Sequence, residues 1–172
     1  MPEYAKKHKC IFDVKKYAKM PDFSGYEKAQ VIQDSNFCWP LRIYYEDTDA
    51  GGIVYYANYL KYFERARTEW LRQLGVNQQE LADQQQAMFV VKSSLVDYHL
   101  PARLDDELQL ITVVEKLGRA SLVFVQEAWR GTQCLVSGRF KVGCVDTQTI
   151  RPCAIPPAVL QALQASHFPS LD

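Results

Sequence analysis

Long apolar runs are missing from this chain. Nothing in its 172 residues approaches the roughly 18 consecutive apolar positions that a membrane-crossing helix needs. The first twenty residues also lack the apolar centre of a signal peptide. No sign of charge dominates: 20 basic and 20 acidic side chains cancel, which removes the field that would gather nucleic acid. The five cysteines, Cys10, Cys38, Cys134, Cys144 and Cys153, form no CxxC and have no histidine at a metal-ligand spacing. They read as free thiols of a reducing cytoplasm, not as a disulfide framework or a zinc site. Neither GxSxG, a Walker loop, GxGxxG nor HExxH occurs. With three histidines in all, His8, His99 and His167, a Ser-His-Asp arrangement would depend on His99. That residue, two before Pro101, reads as an ordinary loop histidine. Carboxylates and backbone dipoles are left to do the chemistry.

What is present falls into two parts. Residues 1–37 form an N-terminal extension whose first twenty, MPEYAKKHKCIFDVKKYAKM, carry six lysines. It reads either as a poorly ordered tail or as a basic arm that docks on a surface. Residues 38–172 read as one domain. WPLRIYYE alternates as a strand with Pro40 near its beginning. Leu60, Phe63, Ala66, Arg67, Trp70, Leu71 and Leu74 then recur at helical spacing, and Gly75 ends the helix. Asn77 to Gln86 suits a short second helix. Met88–Tyr98, Leu108–Lys116, Ala120–Arg130 and Gln133–Asp146 read as strands, the last two joined by a tight Gly131-Thr132 turn. Pro157 opens a short terminal helix. The order predicts an α+β domain with one principal helix. QLITVV and SLVFV are apolar on both alternating faces, so a second layer is needed, and self-association supplies it most simply.

The most unusual stretch is YYEDTDAGGIVYYANYL, residues 44–60, where Glu46, Asp47 and Asp49 precede Gly51-Gly52 and a helix. Glycines let main-chain N–H groups approach a ligand closely. A helix start offers unpaired N–H donors and a partial positive charge. Together they can polarise a carbonyl oxygen while a carboxylate attacks its carbon or activates water. Aspartates that merely cap turns would look the same, so the residues alone leave both readings open.

The run EDTDAGGIVYYANYLKYFERAR resembles the signature of hot-dog-fold acyl-CoA thioesterases of the 4-hydroxybenzoyl-CoA thioesterase type. Its nearest likeness is the YbgC branch, which is associated in bacteria with the Tol-Pal system. FVVKSSLVDYHLPARLDDEL, SLVF and KVGCVDTQTIRPCAIP extend the likeness over about residues 41–159. It implies a five-stranded antiparallel sheet wrapped around a long central helix, and dimers whose sheets join, often as homotetramers. Active sites would lie at the dimer interface.

By position in the motif, the resemblance places the catalytic carboxylate on Asp49 and the carbonyl-polarising backbone amide on Tyr56. A close relative typically has histidine there. Gly51 and Gly52 would give the backbone room beside the thioester. Glu64 is a second carboxylate that some members place near the site, although a pair with a neighbouring arginine on an exposed face is the simpler account. Arg119 and Ser121 resemble the turn that contacts coenzyme A phosphates, and arginine suits phosphate by geometry and charge. The expected activity is hydrolysis of an acyl-CoA, or of an acyl group on acyl carrier protein. No metal and no cofactor is expected beyond the coenzyme A of the substrate. Two other readings stay open: a hydratase or dehydratase of the same fold, for which only SHFPS at 166–170 speaks, and a non-catalytic acyl-thioester binding module.

Overall fold

The computed structural model describes residues 37–167. The extension therefore lies outside the described residues apart from Phe37, which opens the first strand; most of SHFPS lies outside them too. In chain order the elements are β1 (Phe37–Arg42), α1 (Asn58–Gln73), α2 (Gln78–Gln85), β2 (Ala87–Tyr98), β3 (Glu107–Leu117), β4 (Ser121–Arg130), β5 (Gln133–Asp146) and α3 (Pro157–His167). The strands form one antiparallel sheet in the order β1-β3-β4-β5-β2. The chain thus leaves one edge at Arg42, runs through both helices, and returns at the other edge as β2. The five-stranded hot-dog arrangement implied by the resemblance is present.

The first strand is shorter than WPLRIYYE predicts. It stops at Arg42, and Tyr45–Asp47 form a single turn of 3-10 helix. The cause is Asp47, whose carboxylate accepts the Tyr44 N–H at 2.8 Å and folds the chain back on itself. Aspartate bonds of this kind compete with strand pairing.

Helix α1 packs into the concave face of the sheet. Its buried side chains include Tyr59, Tyr62, Phe63, Ala66, Trp70 and Leu71, which share one core with Leu108, Leu110, Phe124 and Phe140. The buried stripe is rotated from the expected one: Leu60 is 41% exposed, while Tyr59 and Tyr62 are 3% and 1% exposed. At its far end the N–H of Val76 bonds Leu71 O at 2.9 Å and that of Gly75 bonds Arg72 O at 3.0 Å. This double bond pattern closes the last turn and needs the left-handed φ of 77° at Gly75. Asn77 caps α2, its side chain accepting from the Gln79 and Glu80 amides.

A polar network ties α1 to the middle of the sheet. Gln126 is fully buried; its amide donates to Phe63 O and Thr112 Oγ1, and its Oε1 accepts from Arg67 Nη1 at 2.7 Å. β3 and β4 carry buried side chains at consecutive positions, as the two-faced apolar runs require. β2 remains an edge strand on the side away from β5, with Val91, Leu95 and Tyr98 exposed.

Candidate active site

The acidic turn is a small hairpin held from three sides. Thr48 and Val54 form an antiparallel bridge, and the Asp49 N–H bonds Ile53 O at 2.9 Å. At the tip, Gly52 N bonds Asp49 O at 3.0 Å, and Gly52 takes a φ of 70° that a side chain would strain. The Gly51 N–H donates to Asp49 Oδ1 at 2.8 Å, and a Cβ on Gly51 would stand 3.0 Å from that same oxygen. Val54 N to Ala102 O, 2.9 Å, fastens the hairpin to the loop between β2 and β3.

The three acids divide their duties. Glu46 is exposed in the 3-10 turn. Asp47 is a buried structural clamp. Its carbonyl accepts both the Tyr55 N–H at 2.9 Å and the Asn58 side-chain amide at 3.0 Å, joining the hairpin to the first turn of α1. Beside its carboxylate lies the Tyr62 hydroxyl, which is buried with no hydrogen-bond partner among the described residues. Burial first, and then the adjacent Asp47 carboxylate, raise that phenol far above its ordinary pKa. Asp49 is exposed, and only its Oδ1 is engaged, by Gly51. Its Oδ2 has no partner among the described residues.

Tyr56 lies two residues before α1, not within it. Its N–H makes no hydrogen bond among the described residues, whereas its carbonyl accepts from the Tyr98 hydroxyl at 3.2 Å. An unpaired donor in front of a helix is a ready partner for developing negative charge. The Tyr56 ring meets Tyr55 at 4.7 Å and Tyr98 at 6.2 Å between centroids, and Tyr98 meets Tyr59 at 5.9 Å. These tyrosines, which periodicity did not mark as site residues, wall the region beside the unpaired amide.

The remaining candidates are dispersed. Glu64, two turns along α1, is exposed and accepts from Thr68 Oγ1 at 2.7 Å. No arginine pairs with it among the described residues, so the arginine pair weighed from the sequence is replaced by this hydroxyl. Arg119 is exposed in the β3–β4 turn, where Gly118 N bonds Ser121 O and Arg119 O accepts from Ile155 N, both at 2.8 Å. That turn is at the opposite end of β3 from Asp106, whose carbonyl accepts the Ile43 N–H close to the acidic turn. At about 3.4 Å per residue, the length of β3 separates them by over 30 Å. One chain brings Asp49, Gly51, Gly52 and Tyr56 together but leaves Arg119 and Ser121 away from them. His99 shares a 2.8 Å hydrogen bond with Ser137 Oγ.

This arrangement of sheet, helix and loop is a thioesterase fold with a carboxylate and a free amide at the head of its helix. Residues 44–163 match the Thioesterase-like superfamily, and the chain belongs to that family. It is 48% identical to the acyl-CoA thioesterase YbgC of Haemophilus influenzae over 75% of this chain and 95% of that one. With the acyl-CoA thioester hydrolase YbgC of Escherichia coli it shares 44% identity, over 72% and 92% of the two chains. Among solved structures, a gentisyl-coenzyme A thioesterase superposes with a TM-score of 0.66 at 26% identity, over 73% of this chain and 98% of that one.

Proposed function

We propose that the chain hydrolyses acyl-CoA thioesters to the free acid and coenzyme A, with Asp49 and the Tyr56 amide at the reacting carbonyl. The kinship with acyl-CoA thioesterases along nearly their whole length supports the reaction class. The observation that carries the mechanism is a carboxylate oxygen and a main-chain N–H, both without partners among the described residues, on one hairpin clamped by Asp47.

The thioester oxygen would accept the Tyr56 N–H, which is positioned before the reaction and needs no reorganisation as charge builds. Asp49 then acts in one of two ways. As a base it takes a proton from water, whose oxygen adds to the carbonyl carbon; the tetrahedral adduct expels the thiolate, which recovers the proton. As a nucleophile its Oδ2 displaces the thiolate to give a mixed anhydride, which water cleaves. In both routes the Gly51 N–H holds Oδ1, which leaves Oδ2 to react.

The phosphates of coenzyme A fall to Arg119 and Ser121 in this reading, and these must come from a second chain. Antiparallel pairing of two β2 edges about a twofold axis lays the Ala87 end of one strand beside the Tyr98 end of the other. The turn carrying Arg119 lies at the Ala87 end, since Ser121 pairs with Gly143 and Gly143 with Val90. A dimer, or a tetramer of two such dimers, therefore completes the site. A cytoplasmic setting suits a coenzyme A ester, and an acyl carrier protein is an alternative donor of the acyl group.

Thiol release from a panel of acyl-CoA esters tests the assignment. Asp49→Asn is expected to lower kcat by about 10²–10⁴, the usual contribution of a positioned acid or base. Undiminished turnover in that variant would overturn the role of Asp49.

A further inference from the structure

Two of the thiols are in contact. The Sγ atoms of Cys144 and Cys153 lie 3.6 Å apart, and Cys144 Sγ also reaches Ala154 O at 3.8 Å. Cys144 belongs to β5 and is fully buried, whereas Cys153 is half-buried in the segment between β5 and α3. The other described cysteines sit elsewhere. Cys38 Sγ donates to Gln109 Oε1 at 3.0 Å, and Cys134 Sγ to Val136 O at 3.7 Å.

The main chain holds Cys144 and Cys153 opposite each other. Val145 and Pro152 form an antiparallel bridge, which makes these two cysteines the next facing pair. On one side of that bridge the Asp146 N–H bonds Arg151 O at 2.9 Å, and on the other the Cys153 N–H bonds Cys144 O at 3.0 Å. Facing residues at a hydrogen-bonded position have Cα atoms about 5.5 Å apart. A disulfide spans Cα separations of about 4.4–6.8 Å, so the backbone is already set for one. The turn that reverses the chain is fixed as well. Asp146 Oδ1 accepts the Gln148 and Thr149 amides at 3.1 and 2.7 Å, and the Ile150 N–H bonds Asp146 O at 2.9 Å. What remains is for the side chains to close the sulfur gap from 3.6 Å to about 2.05 Å.

We propose that Cys144 and Cys153 are a thiol pair that hydrogen peroxide oxidises reversibly to a disulfide. Cys153 reacts first, because its side chain is the one that solvent reaches. Burial first, and then the hydrogen bond with Cys153, push the Cys144 thiol up to about 12, so it waits as the protonated partner. The Cys153 thiolate attacks one peroxide oxygen, the O–O bond breaks, and hydroxide leaves to take up the proton that Cys153 released. The product is a sulfenic acid, which condenses with a neighbouring thiol. Cys144 sulfur then attacks Cys153 sulfur; the S–S bond forms as the S–O bond breaks, and the departing hydroxide takes the Cys144 proton. Two thiols are oxidised, and one peroxide is reduced to two waters. The new bond fastens the two segments that hold the β3–β4 turn, since the Cys144 N–H bonds Ala120 O at 2.9 Å and the Ile155 N–H bonds Arg119 O at 2.8 Å.

Peptide mapping by mass spectrometry provides the test, on full-length protein treated with hydrogen peroxide and then denatured in iodoacetamide. In the wild type Cys144 and Cys153 are expected to lose alkylation together, their peptide lighter by two hydrogen atoms than the free dithiol. Dithiothreitol should restore alkylation at both. In Cys144→Ala no thiol traps the sulfenic acid, so Cys153 should advance to the sulfinic acid, which dithiothreitol does not reverse. Cys153→Ser should give neither product and leave Cys144 alkylated. A wild type in which both thiols still alkylate after peroxide overturns the proposal. So does one in which Cys153 reaches the sulfinic acid as readily as in Cys144→Ala.

Discussion

At the scale of single residues, Asp47 and Asp49 are two positions apart in one turn yet serve opposite purposes. Asp47 is 9% exposed and bonds the Tyr44 amide with its carboxylate, so its truncation removes the acceptor of a half-buried donor. Asp47→Ala is expected to cost about 1–3 kcal/mol of stability, read as a lowered urea midpoint. Asp49→Asn, on an exposed tip, should leave that midpoint within about 0.5 kcal/mol of wild type while turnover collapses. The Tyr56 assignment admits an equally sharp separation. Tyr56→Phe keeps the N–H, whereas Tyr56→Pro deletes it without touching any recorded hydrogen bond of that nitrogen. The proline variant should lose about 10²–10³ in kcat, as loss of an oxyanion donor does elsewhere. Equal rates in the two variants would remove the amide from the mechanism.

At the scale of elements, helix α1 teaches what patterns in a sequence convey and what they leave out. Its extent, its end at Gly75 and the four strands that follow it were legible, because periodicity and turn residues are local properties. The orientation of its buried face was not. Counting aliphatic residues put Leu60 inward, but the sheet curves far enough around the helix to bury Tyr59 and Tyr62 as well. Leu60 is displaced outward, where it is 41% exposed. The shortened β1 has a similar origin, a side-chain bond from Asp47 that a period-two pattern does not record. Of the site, Asp49 and its glycines were visible in the turn chemistry; the tyrosines beside the Tyr56 amide were not, since only the folded chain brings Tyr98 against Tyr56 and Tyr59. β5 adds a prediction of its own. Burial pushes the thiols of Cys134 and Cys144 up to about 12, with the Glu127 charge adding to the first and the neighbouring Cys153 to the second. Both thiols are neutral in the folded and unfolded chain at pH 7. Above the ordinary thiol value of 9.0 the unfolded chain ionises first, so stability should fall between pH 9 and about 12. Cys144→Ala should flatten that fall in urea titrations repeated across the range.

At the scale of the whole molecule, the proposed use of Arg119 for coenzyme A calls for a second chain, because Arg119 and the acidic turn lie at opposite ends of β3 in one chain. β2 is a twelve-residue edge strand with Val91, Leu95 and Tyr98 exposed. Long exposed edges of this kind pair with another strand or are otherwise protected. In the proposed dimer a twofold axis near the middle of β2 lays Leu95 of each chain against the partner's β2, so a lysine there puts two like charges into one strand pair. Leu95→Lys should therefore shift the protein toward monomer in sedimentation velocity, most clearly at low salt, where the Debye length is longest. Two separate losses should follow in the monomer. KM for coenzyme A esters should rise because the partner's turn with Arg119, proposed to hold the phosphates, would be gone, and Arg119→Ala, made in the same background, should add nothing further. In the wild-type assembly Arg119→Ala should by itself raise KM by about tenfold, the worth of one exposed charge-assisted contact to phosphate. A monomeric Leu95→Lys protein with unchanged KM would show that each chain carries a complete site.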